Sequence, residues 1–227
     1  MSIGHEELRP IATQRPRGWT VLDLHAHAYE RSLDSGASAA ALVARAAERG
    51  LDGICLTDHN ALCPEADART LSERYEVAVI PGMEVGTDIG HVLAFGLDHY
   101  HPELVHIEQL RRICLAEGAA MVWAHPMREM ALPRPDWDDV PRLFEALEVL
   151  NGDHTDGVED YFADLADRLG IGRTGGSDAH SLPAVGRVGT AFEGRVYDLD
   201  TLRIALRGGA YHAVDFRARV ALRSDGS

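Results

Sequence analysis

Short apolar runs alternate with longer amphipathic or alanine-rich segments along most of this chain. Runs typical of buried strands lie at 21–24, 53–57, 77–80, 90–95, 120–124, 146–150, 172–175 and 190–192. Segments with helical periodicity lie at 38–49, 106–117, 158–169 and 199–207, and Gly50 and Gly118 end the first two. This alternation of strand and helix predicts an α/β fold.

The number of these units bears on the architecture. Seven or eight of them in 227 residues favour a closed or distorted α/β barrel, with a doubly wound open sheet as the alternative. A hydrophobic content of 45% is enough for a substantial core. We expect an extended N-terminal lead-in at residues 1–18 and a single domain at residues 19–227.

Composition and charge exclude several classes of partner. The net charge of −14, from 36 acidic and 22 basic residues, argues against strong binding to nucleic acid or an anionic membrane. The first twenty residues have no apolar signal region, and no apolar run approaches the roughly 20 residues that span a bilayer. Cys55, Cys63 and Cys114 show no CxxC spacing. We therefore expect a soluble cytoplasmic protein with its cysteines buried in a reducing compartment.

Histidine and acidic residues recur where predicted strands end. The first predicted strand is followed by His25 and His27, the second by Asp58 and His59, and the third by Glu84. A later strand is followed by His125, and the apolar run near residue 175 is followed by Asp178 and His180. One His-x-His pair occurs by chance, but the carboxyl ends of parallel strands open onto a single face. The repetition therefore predicts a metal site on that face.

The types of ligand limit the choice of metal. Imidazole together with carboxylate favours Zn, Mn or Fe over Ca or Mg, because nitrogen ligands suit borderline transition metals. Five histidines with Glu84 and Asp178 exceed what one tetrahedral ion needs. We expect two or three ions that share a bridging carboxylate, for which Glu84 is the candidate.

In this order and context, the five motifs resemble the PHP (polymerase and histidinol phosphatase) superfamily, from about residue 20 to about residue 215. The motifs are Asp23-Leu-His25-Ala-His27, Thr57-Asp58-His59, Gly82-Met-Glu84, His125-Pro126 and Ser177-Asp178-Ala-His180. The resemblance implies a distorted (β/α)7 TIM-like barrel with a trinuclear metal centre at the strand C-termini. Many members of that superfamily hydrolyse phosphoesters.

The resemblance also implies a distribution of ligands. One ion would be held by His25, His27, Glu84 and Asp178. A second would be held by Glu84 and His125, and a third by His59 and His180. A further ligand is expected shortly after the first motif, where Asp34 is the best match despite a longer gap than usual. Another is expected between Glu84 and His125, where His91 fits its context best and His99, His101 and His106 compete.

Some residues have a second interpretation. Asp58 is expected to orient His59 or a neighbouring group, and Asp23 to do the same or to form a salt bridge. Glu148 and Asn151, at another strand end, are candidates for binding substrate or orienting ligands, although Asn151-Gly152 also reads as a turn. Arg128 would clamp a phosphate, or else form a surface salt bridge.

The predicted reaction is hydrolysis of a phosphomonoester or short phosphodiester, in a small phosphorylated metabolite or a nucleotide, by a metal-activated hydroxide. Asp178 is assigned to the catalytic set, and His180 or His59 would protonate the leaving alkoxide. The alternatives are hydrolysis of a non-phosphate ester or amide on the same scaffold, and a non-catalytic metal-binding module. No long cap insertion is recognisable, so the pocket is expected to be open or covered by a neighbour in a homo-oligomer.

Overall fold

Ten strands and six α-helices build the fold in a computed structural model that describes residues 11–126, 128, 132–153 and 157–217. The strands are β1 (Thr20–Asp23), β2 (Gly53–Leu56), β3 (Ala78–Pro81), β4 (Met83–Thr87), β5 (Gly90–Phe95), β6 (Ala120–Trp123), β7 (Ala146–Asn151), β8 (Gly172–Gly176), β9 (Val188–Phe192) and β10 (Tyr211–Asp215). The helices are α1 (Ala39–Glu48), α2 (Glu65–Tyr75), α3 (Ile107–Glu117), α4 (Val140–Leu143), α5 (Glu159–Leu169) and α6 (Leu199–Gly208).

The strands pair in two five-stranded sheets, in the orders β10-β9-β1-β2-β3 and β4-β5-β6-β7-β8. The pairs within β1-β2-β3 and β6-β7-β8 are parallel, whereas β4-β5, β5-β6, β1-β9 and β9-β10 are antiparallel. The predicted α/β class is confirmed. Strand pairing within the described ranges forms two separate sheets and does not close them into the expected distorted (β/α)7 barrel.

Isolated bridges bring the two sheets together at their ends. Ala26, just after β1, bridges to Ala179, just after β8, and His59, after β2, bridges to Glu84 in β4. Each bridge joins one sheet to a strand or loop of the other. The bridges therefore bring the strand-end histidines of both sheets into one region.

The interior core lies between the sheets. Leu22, Ile80, Leu93, Val122 and Phe192, from five different strands, are fully buried in one cluster. Helix α6 packs its apolar residues against the same cluster. Burial of these side chains helps to hold the strand ends of both sheets in place.

Most predicted elements are present within one or two residues of their expected bounds. Four were missed: α2, the four-residue helix α4, β4 and β10. Helix α2 buries only Ala68, so it lacks the apolar stripe by which a helix is recognised. Strand β4 is a short segment that pairs in a hairpin with β5, and such pairing is decided by tertiary contacts.

The described part of the lead-in packs on the domain. Ala12 bridges to Val214 in β10, and the guanidinium of Arg15 lies 2.7 Å from the carboxylate of Asp52. Residues 1–10 of the predicted lead-in lie outside the described residues. The division at residue 18 stays a prediction.

The three cysteines are free and buried, as expected. Burial raises the pKa of the Cys63 thiol to about 11 and that of Cys114 to about 12, so both stay protonated. Across the residues the structure describes, every helix is too short or too polar to cross a membrane.

Replacing Gly176 with alanine tests how tightly β8 packs on β1. A Cβ at this position would lie 2.4 Å from the Cβ of His25 and 2.6 Å from Oε1 of Glu148. We expect Gly176→Ala to lower the free energy of unfolding by about 2 kcal/mol, measured by urea denaturation. Gly208→Ala is the control, since its Cβ would meet open space; equal midpoints for the two variants would contradict the packing described.

Candidate metal centre

The structure brings together all nine residues that were predicted as metal ligands. His25 and His27 follow β1, Asp34 lies in the next loop, His59 follows β2, Glu84 and His91 lie in β4 and β5, His125 follows β6, and Asp178 and His180 follow β8. The competing His99, His101 and His106 lie elsewhere, where the rings of His99 and His101 face each other and His106 pairs with Asp88. The expected common face is therefore a real cluster of side chains.

Glu84 lies at the centre of this cluster and is 1% exposed. Its carboxylate is within ion-pair distance of five imidazoles: His25, His27, His59, His91 and His125. The shortest distances are 2.9 Å, from Oε1 to His91 Nδ1 and His125 Nε2 and from Oε2 to His59 Nδ1. Burial alone would raise the pKa of Glu84, but His25, His125 and His59 hold it well below its ordinary value, so the carboxylate stays ionised.

Asp178 forms a second buried carboxylate beside the first histidine pair. Its Oδ1 lies 3.1 Å from His27 Nε2 and 3.5 Å from His25 Nε2, while Oδ2 accepts a 2.6 Å hydrogen bond from Arg128 Nη1. Against the effect of burial, His25, His27 and Arg128 hold the pKa of Asp178 well below its ordinary value. Its backbone adopts φ 52°, a left-handed conformation that a non-glycine residue adopts at a cost.

Asp34 completes the outer side of the cluster. Its Oδ2 lies 3.0 Å from His59 Nε2 and 3.2 Å from His180 Nε2, and its side chain is about half exposed at 53%. Although partial burial acts the other way, His59 and His180 lower the pKa of Asp34. This part of the cluster therefore faces solvent, unlike Glu84 and Asp178.

Glu148 supports the cluster from behind. Its Oε1 lies 2.9 Å from His25 Nδ1, and its Oε2 accepts the backbone N–H of His125 at 2.9 Å. Asn151 donates to Glu148 at 2.8 Å and accepts from Arg128 Nη2 at 3.0 Å. Glu148 thus orients two histidines from a buried position, while Arg128 and Asn151 link that support to the rim.

The electrostatics of His25 follow from these neighbours. Burial lowers its pKa, but the carboxylates of Asp178, Glu148 and Glu84 outweigh burial and raise it well above 6.5. Its Nδ1 faces Glu148, so its Nε2 points toward Glu84 and Asp178. This is the orientation in which an imidazole whose far nitrogen is held by a carboxylate can bind a cation.

The residues present fit a divalent metal ion. Among the described residues, His25 Nε2 and Glu84 Oε2 are buried without a partner in hydrogen-bonding geometry, which is costly unless something else satisfies them. Within the described ranges, four groups have ligand atoms within 4.8 Å of one another: His27-His59-His180, His25-His27-Glu84, His25-His125-Glu148 and His59-Glu84-His91. Nitrogen and carboxylate donors in this proportion suit Zn, Mn or Fe.

Sequence reasoning missed Arg31 and Ser32 and described two acidic residues only in part. The carboxylate of Asp58 contacts Arg31, Ser32 and the backbone N–H of Ala28 rather than the ring of His59. Asp23 accepts backbone N–H groups of Ser177 and Gly186 instead of forming a salt bridge. Loop residues 28–37 have no periodicity, so no sequence signal marked Arg31 or Ser32.

The model of the PHP domain family matches residues 23–169, more than half of the chain, and that of the PHP-associated family matches residues 162–211. The chain belongs to the PHP domain family. The resemblance inferred from the five motifs is confirmed.

A curated relative is the ribonuclease P protein component 3 of Natronomonas pharaonis, which is 32% identical over 110 residues. The match covers 47% of this chain and 44% of the relative, so the chain matches less than half the length of that protein.

Solved structures with the same fold are more distant in sequence. PsfC from Pseudomonas syringae PB-5123 has a TM-score of 0.67 at 23% identity, over 92% of this chain and 97% of PsfC. A two-domain protein of Bacteroides vulgatus that contains a predicted PHP-like metal-dependent phosphoesterase has a TM-score of 0.66 at 20% identity, over 97% of this chain and 74% of that one. At such identities the likeness concerns the fold.

Substitution of Glu84 tests the electrostatics of the cluster in metal-free protein. The carboxylate of Glu84, 2.9 Å from Nδ1 of His59, raises the pKa of that imidazole above 6.5, although burial acts against it. We expect Glu84→Gln to lower the pKa of His59, measured by NMR titration of the histidine rings, whereas Glu73→Gln on the surface of α2 leaves it unchanged.

The sign of the linked stability follows from the same shift. Because the folded-state pKa of His59 is raised, its pairing with Glu84 stabilises the fold fully below pH 6.5. That contribution is lost as the pH rises through the raised value. A His59 pKa that does not move in Glu84→Gln would show that the carboxylate is not its main partner.

Proposed function

We propose that the chain is a metal-dependent hydrolase of a phosphomonoester or short phosphodiester, with a trinuclear metal centre in the histidine-carboxylate cluster. One observation carries the proposal: the ionised and buried carboxylate of Glu84 faces imidazoles from both sheets. A carboxylate in that position is suited to bridge two cations. Family membership and the PHP-like phosphoesterase among the structural neighbours support the same conclusion.

The contacts support three groups of ligands. The first ion would be held by His25, His27, Asp178 and Glu84. The second would be held by Glu84, His125 and His91, and the third by His59, His180 and Asp34. The third group is the most exposed, since His59, His180 and Asp34 have side-chain exposures of 30, 32 and 53%. A substrate would therefore approach from that side.

Bound ions would supply charge neutralisation for the phosphoryl oxygens and would lower the pKa of a water molecule toward neutrality. Arg128 lies at the edge of the cluster, where its guanidinium contacts Asp178 and Asn151. From that position its donors can reach a phosphoryl oxygen, and Asn151 keeps the guanidinium plane in place. Whichever of His59 and His180 is not engaged by the third ion would protonate the leaving alkoxide.

The arginine favours a phosphoryl over an acyl substrate. A metal centre by itself does not discriminate between the two, whereas a guanidinium matches the charge and geometry of a phosphate. The curated relative is named as a ribonuclease P component, but the net charge of −14 here favours a small phosphorylated metabolite or nucleotide over a nucleic acid.

Metal removal and a substrate panel test the proposed reaction. We expect chelation to abolish hydrolysis of phosphate esters, and Zn, Mn or Fe to restore it. Asp178→Ala should lose bound metal and lower kcat/KM by about 10³-fold or more, because it removes a buried ligand.

The matched control is Asp164→Ala, which removes an exposed carboxylate of α5 that pairs with Arg168. It should retain both metal and turnover. Faster hydrolysis of acyl esters than of phosphate esters would favour the acyl alternative. A metal-replete protein that turns over neither class would favour the non-catalytic module.

Arg128 has its own test. We expect Arg128→Ala to raise KM for a phosphomonoester by about 10-fold or more, and Arg128→Lys to recover part of the loss, because a bidentate site distinguishes the two cations. Arg142→Ala, which breaks an exposed pair with Glu108, is the control. Unchanged steady-state kinetics in Arg128→Ala would remove the phosphate clamp from the proposal.

A further inference from the structure

We propose that Arg31 and Ser32 are positioning residues for the metal centre, acting through Asp58 to hold His27 and His59. The inference rests on the proposed metal-dependent function, but it concerns the protein groups around the ions rather than the reaction. It begins from the loop that follows β1, whose side chains turn back toward the cluster.

The first contact is a buried ion pair. Arg31 Nε donates to Oδ2 of Asp58 at 2.6 Å, with side-chain exposures of 17% for Arg31 and 0% for Asp58. Arg31 Nη2 is buried and has no hydrogen-bond partner in the part of the chain that the structure describes. The fold therefore accepts an unsatisfied donor in order to keep the guanidinium against this carboxylate.

The second contact determines the direction of a hydrogen bond. The other oxygen of Asp58 accepts from the backbone N–H of Ala28 at 2.6 Å and from the hydroxyl of Ser32 at 3.0 Å. An ionised carboxylate accepts hydrogen bonds and cannot donate them. The single hydroxyl proton of Ser32 therefore lies in the hydrogen bond to Asp58. Arg31 donates to the opposite oxygen, so both oxygens of Asp58 face hydrogen-bond donors.

The third contact reaches the candidate ligands. Because the hydroxyl proton of Ser32 is donated to Asp58 in a hydrogen bond, Ser32 Oγ can only accept hydrogen bonds from its other neighbours. It accepts the backbone N–H of His59 at 3.1 Å and lies 3.5 Å from His27 Nδ1. One buried hydroxyl thus links a ligand after β1 with a ligand after β2.

The direction of the hydrogen bonds at this hydroxyl matters for metal binding. A metal ion on His27 Nε2 requires the ring proton to lie on Nδ1, and that proton needs an acceptor. The oxygen of Ser32, whose own proton is donated to Asp58, is such an acceptor. Nε2 of His27 already faces Asp178 and Glu84, at 3.1 and 3.3 Å, on the side where the ion would lie.

The experiment measures zinc affinity and the imidazole N–H proton of His27 in the zinc-loaded protein. We expect Ser32→Ala to weaken zinc binding by about 10- to 100-fold, the usual effect of removing a group that orients a ligand. The Nδ1–H signal of His27 in the proton NMR spectrum should broaden by exchange with solvent. A purely structural role would not move that signal.

Two further variants complete the test. Arg31→Lys keeps the charge beside Asp58 but removes the Nε–H donor, so it folds and is expected to weaken zinc binding less than Ser32→Ala does. Ser38→Ala is the control from the end of the same loop, where the hydroxyl caps α1, and it should leave both zinc affinity and the NMR signal unchanged.

The outcomes separate this proposal from the proposed function. Zinc affinity within about twofold of wild type in Ser32→Ala, or an unchanged Nδ1–H signal, overturns the positioning role. If Arg31→Lys has the zinc affinity and the His27 Nδ1–H signal of the wild type, Arg31 has no part in the positioning role. A wild-type protein that binds zinc but hydrolyses no ester removes the proposed reaction and leaves the positioning role supported.

Discussion

The constraint on which the site depends is the burial of negative charge. Glu84, Glu148 and Asp178 are all at most 4% exposed and share one small region. Removing ionised carboxylates from water is costly unless positive charge and hydrogen-bond donors replace the water. The imidazoles of both sheets and the guanidinium of Arg128 meet that requirement, and they do so only when the strand ends are brought together.

Buried carboxylates also hold the loops that carry these side chains. Asp23 binds the backbone N–H of Ser177, Asp58 that of Ala28, and Glu148 that of His125. Each of these acids is buried, and each restrains a segment next to a candidate ligand. The left-handed backbone of His125 and Asp178, at φ 26° and 52°, shows that the restraint is strong enough to hold unfavourable conformations.

Much of this was accessible from the sequence because local patterns report local structure. Strand β5 was predicted with the bounds that it has, and α1, α3 and α5 to within a residue at each end. All nine candidate ligands were named, since each follows a recognisable apolar run or belongs to a family motif. The polar helix α2 and the short strands β4 and β10 were missed, because pairing and packing partners far along the chain decide them.

The sequence by itself determined the α/β class, the family and the identity of the metal-ligand candidates, because these follow from periodicity and from residue types at strand ends. Tertiary structure decided how the sheets pair, which imidazoles face the carboxylate of Glu84, and that Arg31 and Ser32 reach Asp58. The physical reason is that these contacts join residues from separate strands and loops. Their geometry depends on how distant segments pack, which no local pattern records.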